Sequence, residues 1–189
     1  MSVPKRLFDI AFSLFAILTL SPLLFLVALL VNSTSRGGTL HWSKRVGQHN
    51  KQFFMPKFRT MKVDTPQLPT HLLTNPEEFL TPVGSFLRRT SLDELPQLFS
   101  ILVGHLSFVG PRPALFNQDD LVAQRTERGI HGLVPGLTGW AQINGRDELP
   151  IPIKVQFDYE YLTRQSLRFD MQIIGLTIVK VARRDGIQH

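Results

Sequence analysis

Residues 88–98, RRTSLDELPQL, carry the densest reactive chemistry in the chain: two arginines, then the adjacent carboxylates Asp93 and Glu94, then Pro96. Ser91 and Glu94 fit an S-x-x-E capping box, the plain structural reading of the pair, and a helix is expected to run on through LFSILVG. Pro96 sits poorly with Ser91 as the cap, because it leaves a carbonyl unpaired, and well with Asp93 as the cap. Either choice puts both acids at a helix N-terminus, whose partial positive charge keeps carboxylates ionised and attracts phosphate.

Successive helical residues diverge by about 100°, so Asp93 and Glu94 are poorly placed to share a proton. A division of labour suits them better. One carboxylate attacks phosphorus and forms an acyl phosphate, while the other helps to hold a cation. That step needs positive charge against an anionic substrate, from Mg²⁺ and from Lys or Arg. KFR offers Lys57 and Arg59, the double arginine offers Arg88 and Arg89, and PRP fixes Arg112 in an extended loop. A single Lys or Arg is most often a solvated surface group; Arg112, between two prolines, departs furthest from that. Neither GxxxxGK[ST] nor GxGxxG occurs, which argues against a Walker-type or dinucleotide site.

The elements that position these groups belong to one domain's length of chain, 189 residues with 43% hydrophobic content. The absence of cysteine excludes disulfides and thiolate metal sites and fits a reducing compartment. The net charge of +6 lies wholly in the first third: residues 1–60 hold eight basic side chains and one acidic, and the remainder holds 13 basic and 14 acidic. Such asymmetry suggests nucleic acid or an anionic membrane surface. The adjoining apolar segment favours membrane, and no basic run interleaved with aromatics supports nucleic acid.

That segment, residues 7–31, has 25 residues and one charge, Asp9, which is enough to span a bilayer. It is too long for a signal peptide, and VNSTSRGG lacks a small-x-small cleavage site. Ser21-Pro22 interrupts it near the middle, and basic residues flank both ends. A straight span cannot keep both flanks on the cytoplasmic side, whereas a re-entrant helix broken at Ser21-Pro22 can. Prolines are tolerated in spanning helices, so both geometries stand at this point.

Residues 39–61 read as a hairpin about a turn at 47–50, followed by a proline-rich loop over 62–76 and a short helix at 77–80. VGPRPAL is expected to be extended. A helix is expected from Gln118, an irregular loop over VPGLTGWAQINGR, and helices over IKVQFDYEYLTRQ and RFDMQIIGLTIVKVARR. The last either packs in the core or lies at headgroup level.

In this order, KRLFDIAFSLFAILTLSPLL, KFRTM, VGSFLRRTSLDELPQLFSILVGHLSFVGPRPAL, VPGLTGWAQINGR and FDYEYLTRQSLRFDMQII resemble the bacterial sugar transferase family, the small monotopic polyprenyl-phosphate phosphoglycosyl transferases. The resemblance covers nearly the whole chain. It implies a mainly α fold with a small β-hairpin: a re-entrant membrane helix over 1–36, then a compact helical catalytic domain with interfacial amphipathic helices over 37–189. The implied reaction moves a phosphosugar from a UDP-sugar to polyprenyl (undecaprenyl) phosphate and releases UMP. It would run at the cytoplasmic face of the bacterial inner membrane, as the first membrane step of a glycoconjugate pathway.

By the same resemblance Asp93 is the nucleophile, and Asp93 with Glu94 forms the Mg²⁺ site. Lys57, Arg59, Arg88 and Arg112 neutralise phosphate, and Asp170 matches an acidic position of the C-terminal motif and joins the substrate-binding set. His105, His49-Asn50 and Thr81-Pro82 depart from the family pattern without touching the DE pair or PRP. His105 reads as a surface or capping residue. Two other functions compete: a membrane-anchored, non-enzymatic module that binds anionic lipid, and a metal-dependent phosphatase with water as acceptor. Which sugar is transferred is not written in the sequence.

Overall fold

In the computed structural model, which describes residues 1–66, 75–145 and 149–183, the chain opens with one long helix, α1 (Val3–Thr34). At about 1.5 Å per residue it is roughly 48 Å long. One face is pinned to the rest of the protein along its whole length. Lys5, Asp9 and Ser13 are buried near its start, Ala16, Ile17 and Leu20 pack on Leu98, Ile101 and Leu106, and Val27 and Val31 join Phe58 and Leu87. The opposite face leaves Leu14, Phe15, Leu18, Phe25, Leu26 and Leu29 exposed. A polar body offers no reason for such a row to stay outside unless something apolar covers it.

The break expected at Ser21-Pro22 does not divide this helix, which passes through Pro22 in a single element. Proline cannot donate to the Leu18 carbonyl one turn back. The Ser21 hydroxyl takes over that carbonyl at 2.9 Å, so the missing bond leaves no bare acceptor on an apolar surface.

The hairpin forms as the two-residue alternation predicts. β1 (Leu40–Val46) pairs antiparallel with β2 (Gln52–Phe58), Leu40 opposite Phe58 and Val46 opposite Gln52. Pro56 is tolerated because β2 is an edge strand, with β1 as its one neighbour in a three-stranded sheet.

The stretch around the acids differs from expectation. A helix α2 (Gly84–Thr90), not anticipated, ends at Ser91 in the left-handed region (φ 56°), and a single 3-10 turn covers Leu92–Glu94. Only then does α3 (Gln97–Val103) begin, with Pro96 as its cap. No capping box forms, because Ser91 in that conformation offers no side-chain bond to the following turn. α3 closes on Gly104 (φ 99°), where Arg6 from α1 donates to the Ile101 and Leu102 carbonyls at 2.7 and 2.8 Å. That pins the charged start of α1 to the negative end of α3.

VGPRPAL is extended as expected, linking β3 (Ser107–Val109) to β4 (Ala114–Leu115), and α4 (Asp119–Glu127) follows. The loop expected over 134–146 is ordered instead as β5 (Gly136–Thr138), parallel to β3, and the short helix α5 (Trp140–Asn144). Its glycines serve close packing: a Cβ on Gly139 would lie 2.1 Å from the Gly110 carbonyl oxygen. Two expected helices close the fold, α6 (Ile151–Arg164) and α7 (Leu167–Arg183). The short helix expected at 77–80 appears as a 3-10 turn over Pro76–Phe79; most of the proline-rich loop and residues 146–148 lie outside the described residues.

Candidate active site in the hairpin cleft

A cleft of about 1480 Å³ runs between the hairpin, the turn carrying the acids and the loop after β3. Lys57, Arg59, Arg88, Asp93, Glu94 and Arg112 all line it, so six of the eight side chains singled out for chemistry in the sequence share one cavity; Arg89 is exposed outside it and Asp170 lies elsewhere. Strand β2 delivers Lys57, the last turns of α2 deliver Arg88, and the Pro-Arg-Pro loop delivers Arg112.

The two acids, adjacent in sequence, occupy opposite electrostatic states. Glu94 Oε1 accepts from Lys57 Nζ at 2.7 Å and lies 4.0 Å from Arg112 Nη1. Burial alone would raise Glu94, but Lys57 and Arg112 outweigh it and hold the carboxyl at about 2. Asp93 is buried, and burial pushes it up to about 6 against the opposing pull of Lys57 and Arg88, with the Glu94 charge adding to the rise. The helix tip expected to keep Asp93 ionised is therefore not the controlling influence; desolvation is. An ionised but poorly solvated carboxylate is a stronger nucleophile than one in water.

Arg88 donates to Thr60 Oγ1 at 3.0 Å, which aims its guanidinium along the cleft wall. Arg59 is tied to the Gly38 and Leu40 carbonyls at 3.0 and 3.1 Å. Arg45, read in the sequence only as a membrane-flanking charge, also lines the cleft and adds to the field holding Glu94 ionised. Strand periodicity carries that signal, since Arg45 and Lys57 fall on the same face of the hairpin. His41, opposite Lys57, is held below its usual range by burial and by Arg59, Lys57 and Arg45.

Among the described residues no group of three or more His, Cys, Asp or Glu stands together as a cage. Asp93 and Glu94 fit a different kind of site. Mg²⁺ takes one or two protein carboxylates and completes its shell with substrate phosphate and water.

Asp170 is placed elsewhere. It is fully buried beneath the cleft, 2.6 Å from Lys5 Nζ, and the Tyr161 hydroxyl shares its proton between Asp170 Oδ1 at 2.8 Å and the Val109 carbonyl at 3.1 Å. Asp9 Oδ1 accepts the Phe108 N–H at 3.2 Å. Side chains from α1, α6 and α7 thus grip β3, the strand that leads directly into Arg112. His105 is exposed beside Phe53, as a surface histidine.

A family model described as "Bacterial sugar transferase" matches residues 1–184. The chain is 40% identical over 183 residues to a protein of Escherichia coli (strain K12) named "UDP-glucose:undecaprenyl-phosphate glucose-1-phosphate transferase", covering 93% of this chain and 39% of that one. It is 41% identical over 185 residues to the "Undecaprenyl-phosphate glucose phosphotransferase" of Komagataeibacter xylinus, covering 92% and 35%. It is 38% identical over 185 residues to the "Uncharacterized sugar transferase EpsL" of Bacillus subtilis (strain 168), covering 98% and 90%. The chain thus spans well under half the length of the first two relatives and nearly all of the third.

Proposed function

The chain belongs to the bacterial sugar transferase family, and we propose that it moves a sugar 1-phosphate from a UDP-sugar to a polyprenyl phosphate at a membrane surface. The Asp93 carboxylate attacks the sugar-bearing phosphorus of the donor. The bond to the bridging oxygen breaks, and UMP departs with the electron pair. An oxygen of the lipid phosphate then attacks the same phosphorus and releases Asp93, giving a polyprenyl diphosphate sugar. Mg²⁺ held by Asp93 and Glu94 would neutralise charge on the diphosphate. Lys57, Arg88 and Arg112 bind and orient the phosphates, and Arg59 and Arg45 extend the positive field.

One observation carries this reading: Asp93 is buried and raised to about 6 in a cleft lined by cations that include Arg45, Lys57, Arg59, Arg88 and Arg112. A phosphatase would need a placed water as acceptor, whereas this cleft runs onto the apolar face of α7 at Ile174, Ile178 and Val181 and suits a lipid acceptor. Both ends of α1 are held by the same body, which supports a monotopic placement with both basic flanks on the cytoplasmic side of the inner membrane. The names of the relatives favour undecaprenyl phosphate as acceptor and a glucose 1-phosphate as the group transferred.

Incubating the purified protein with UDP-glucose and Mg²⁺, without lipid, is expected to release UMP and to leave a phosphohexose mass on the peptide containing Asp93. Turnover retained in Asp93→Asn, or turnover with no adduct at any time, would overturn the scheme.

A further inference from the structure

The cleft does not stop at the acids. Past Leu98 and Phe108 it continues as a groove between β5–α5 and α7, lined by Leu137, Ala141, Ile143, Ile174, Ile178 and Val181. On α7, Ile174, Thr177, Ile178 and Val181 follow the i, i+3, i+4, i+7 spacing of a single face, a row about 10 Å long.

Most polar side chains in this arm have partners. Thr138 and Thr177 hydroxyls lie 2.8 Å apart, Thr177 also donates to the Ile173 carbonyl at 2.8 Å, and Lys180 donates to the Ile143 carbonyl. Gln142 donates to the Leu137 carbonyl at 3.1 Å and leaves its Oε1 without a partner among the described residues. What the threonines and the Lys180 stem turn to the groove is methyl and methylene surface. Ile178 is 64% exposed there, with nothing of the described chain covering it.

One cavity thus has a cationic end and an aliphatic end. That polarity matches a molecule with an anionic head and a hydrocarbon tail. The other arm, along the hairpin, is different: it presents His41, Arg45, Lys57 and Arg59. Clustered positive charge with an imidazole ring suits a nucleoside diphosphate better than an alkyl chain.

From this division, and resting on the transferase reading above, we infer that the α7 arm is the entry groove for the acceptor lipid, holding the first isoprene carbons behind its phosphate. Phe108 stands at the junction. Its ring meets Phe8 and Phe12 of α1 at 6.1 and 5.8 Å, so the groove opens beside the apolar N-terminal half of α1, where a lipid chain can pass without crossing water.

The test compares Ile178→Trp, which fills the groove, with Val179→Trp on an outward position of the same helix. Both are assayed in lipid nanodiscs with a long-chain polyprenyl phosphate and with ethyl phosphate, a short-chain acceptor that has no isoprene carbons to enter the groove. Ile178→Trp is expected to raise KM for the long-chain acceptor about tenfold, to change the short-chain KM less than about threefold, and to leave acceptor-free UMP release intact. Val179→Trp is expected to match the parent protein. An equal rise for both acceptors, a fall in acceptor-free UMP release, or no change at all would overturn the groove. A diazirine-bearing prenyl phosphate supplies a readout that needs no turnover: its label should fall on residues 174–181 and be lost in Ile178→Trp, and labelling elsewhere counts against the groove. Absent UMP release from the parent protein would sink the transferase reading instead, and leaves the labelling result to judge the groove.

Discussion

Lys57 Nζ sits 2.7 Å from Glu94 Oε1, while Asp93, one residue earlier, is raised to about 6 by burial against the pull of Lys57 and Arg88. Paired cations at one acid and desolvation at the other thus divide two neighbours into a fixed anion and a group that titrates near neutrality. Glu94 stays ionised throughout the neutral range, and Asp93, the proposed nucleophile, titrates near neutrality.

The pH profile of acceptor-free UMP release should show this division. In the proposed scheme Asp93 attacks only as carboxylate, so kcat/KM is expected to fall about tenfold per pH unit below about pH 6. A profile flat from pH 5 to 8 would contradict the assignment.

Thermal stability should respond to the two acids with opposite signs. The folded value of Asp93, about 6, exceeds its ordinary 3.8, so the folded state binds the extra proton and loses stability as pH rises between these values. Above pH 6 the cost is about 3 kcal/mol, and Asp93→Asn is expected to raise Tm at pH 8 but not at pH 4. Glu94, held at about 2 against an ordinary 4.5, contributes roughly 3 kcal/mol above pH 4.5, lost as pH falls through that window. Glu94→Gln should lower Tm at pH 7. Paired melts of the two variants across pH check both signs.

The buried grip on β3 predicts coupling to Arg112. Tyr161→Phe removes the hydroxyl between Asp170 and the Val109 carbonyl, and should slow UMP release about tenfold. In an Arg112→Ala background the same change is expected to cost less than about twofold. Equal losses in both backgrounds would mean that the network serves stability alone.

Ser91 holds a left-handed conformation (φ 56°) at the junction that presents Asp93. A side chain there costs on the order of 1 kcal/mol, and more if β-branched. Ser91→Gly is expected to raise Tm slightly and Ser91→Val to lower it by several degrees. The reverse order in calorimetry would show that the turn is not held as described.

Much of this was legible in the sequence, and the reasons are physical. Strand alternation showed the hairpin, an uncharged run showed α1, and residue types gathered the cations around the DE pair. The turn at Ser91–Pro96 was not legible, because a left-handed serine breaks a helix that local propensity would continue. The order of residues 136–144 was hidden for a related reason: glycine density signals loops, and here it permits the close approach of Gly110 and Gly139. The placement of Asp170 depends on Lys5, 165 residues away, and no local pattern reports such a partner.

The long first helix also has a practical consequence. Val31 is wholly enclosed against Phe58 and Leu87, immediately beside the strand residue that carries Lys57. Cutting away this segment to obtain a water-soluble enzyme would therefore strip the catalytic body of part of its own interior. The first helix must be kept with the catalytic body as part of its fold.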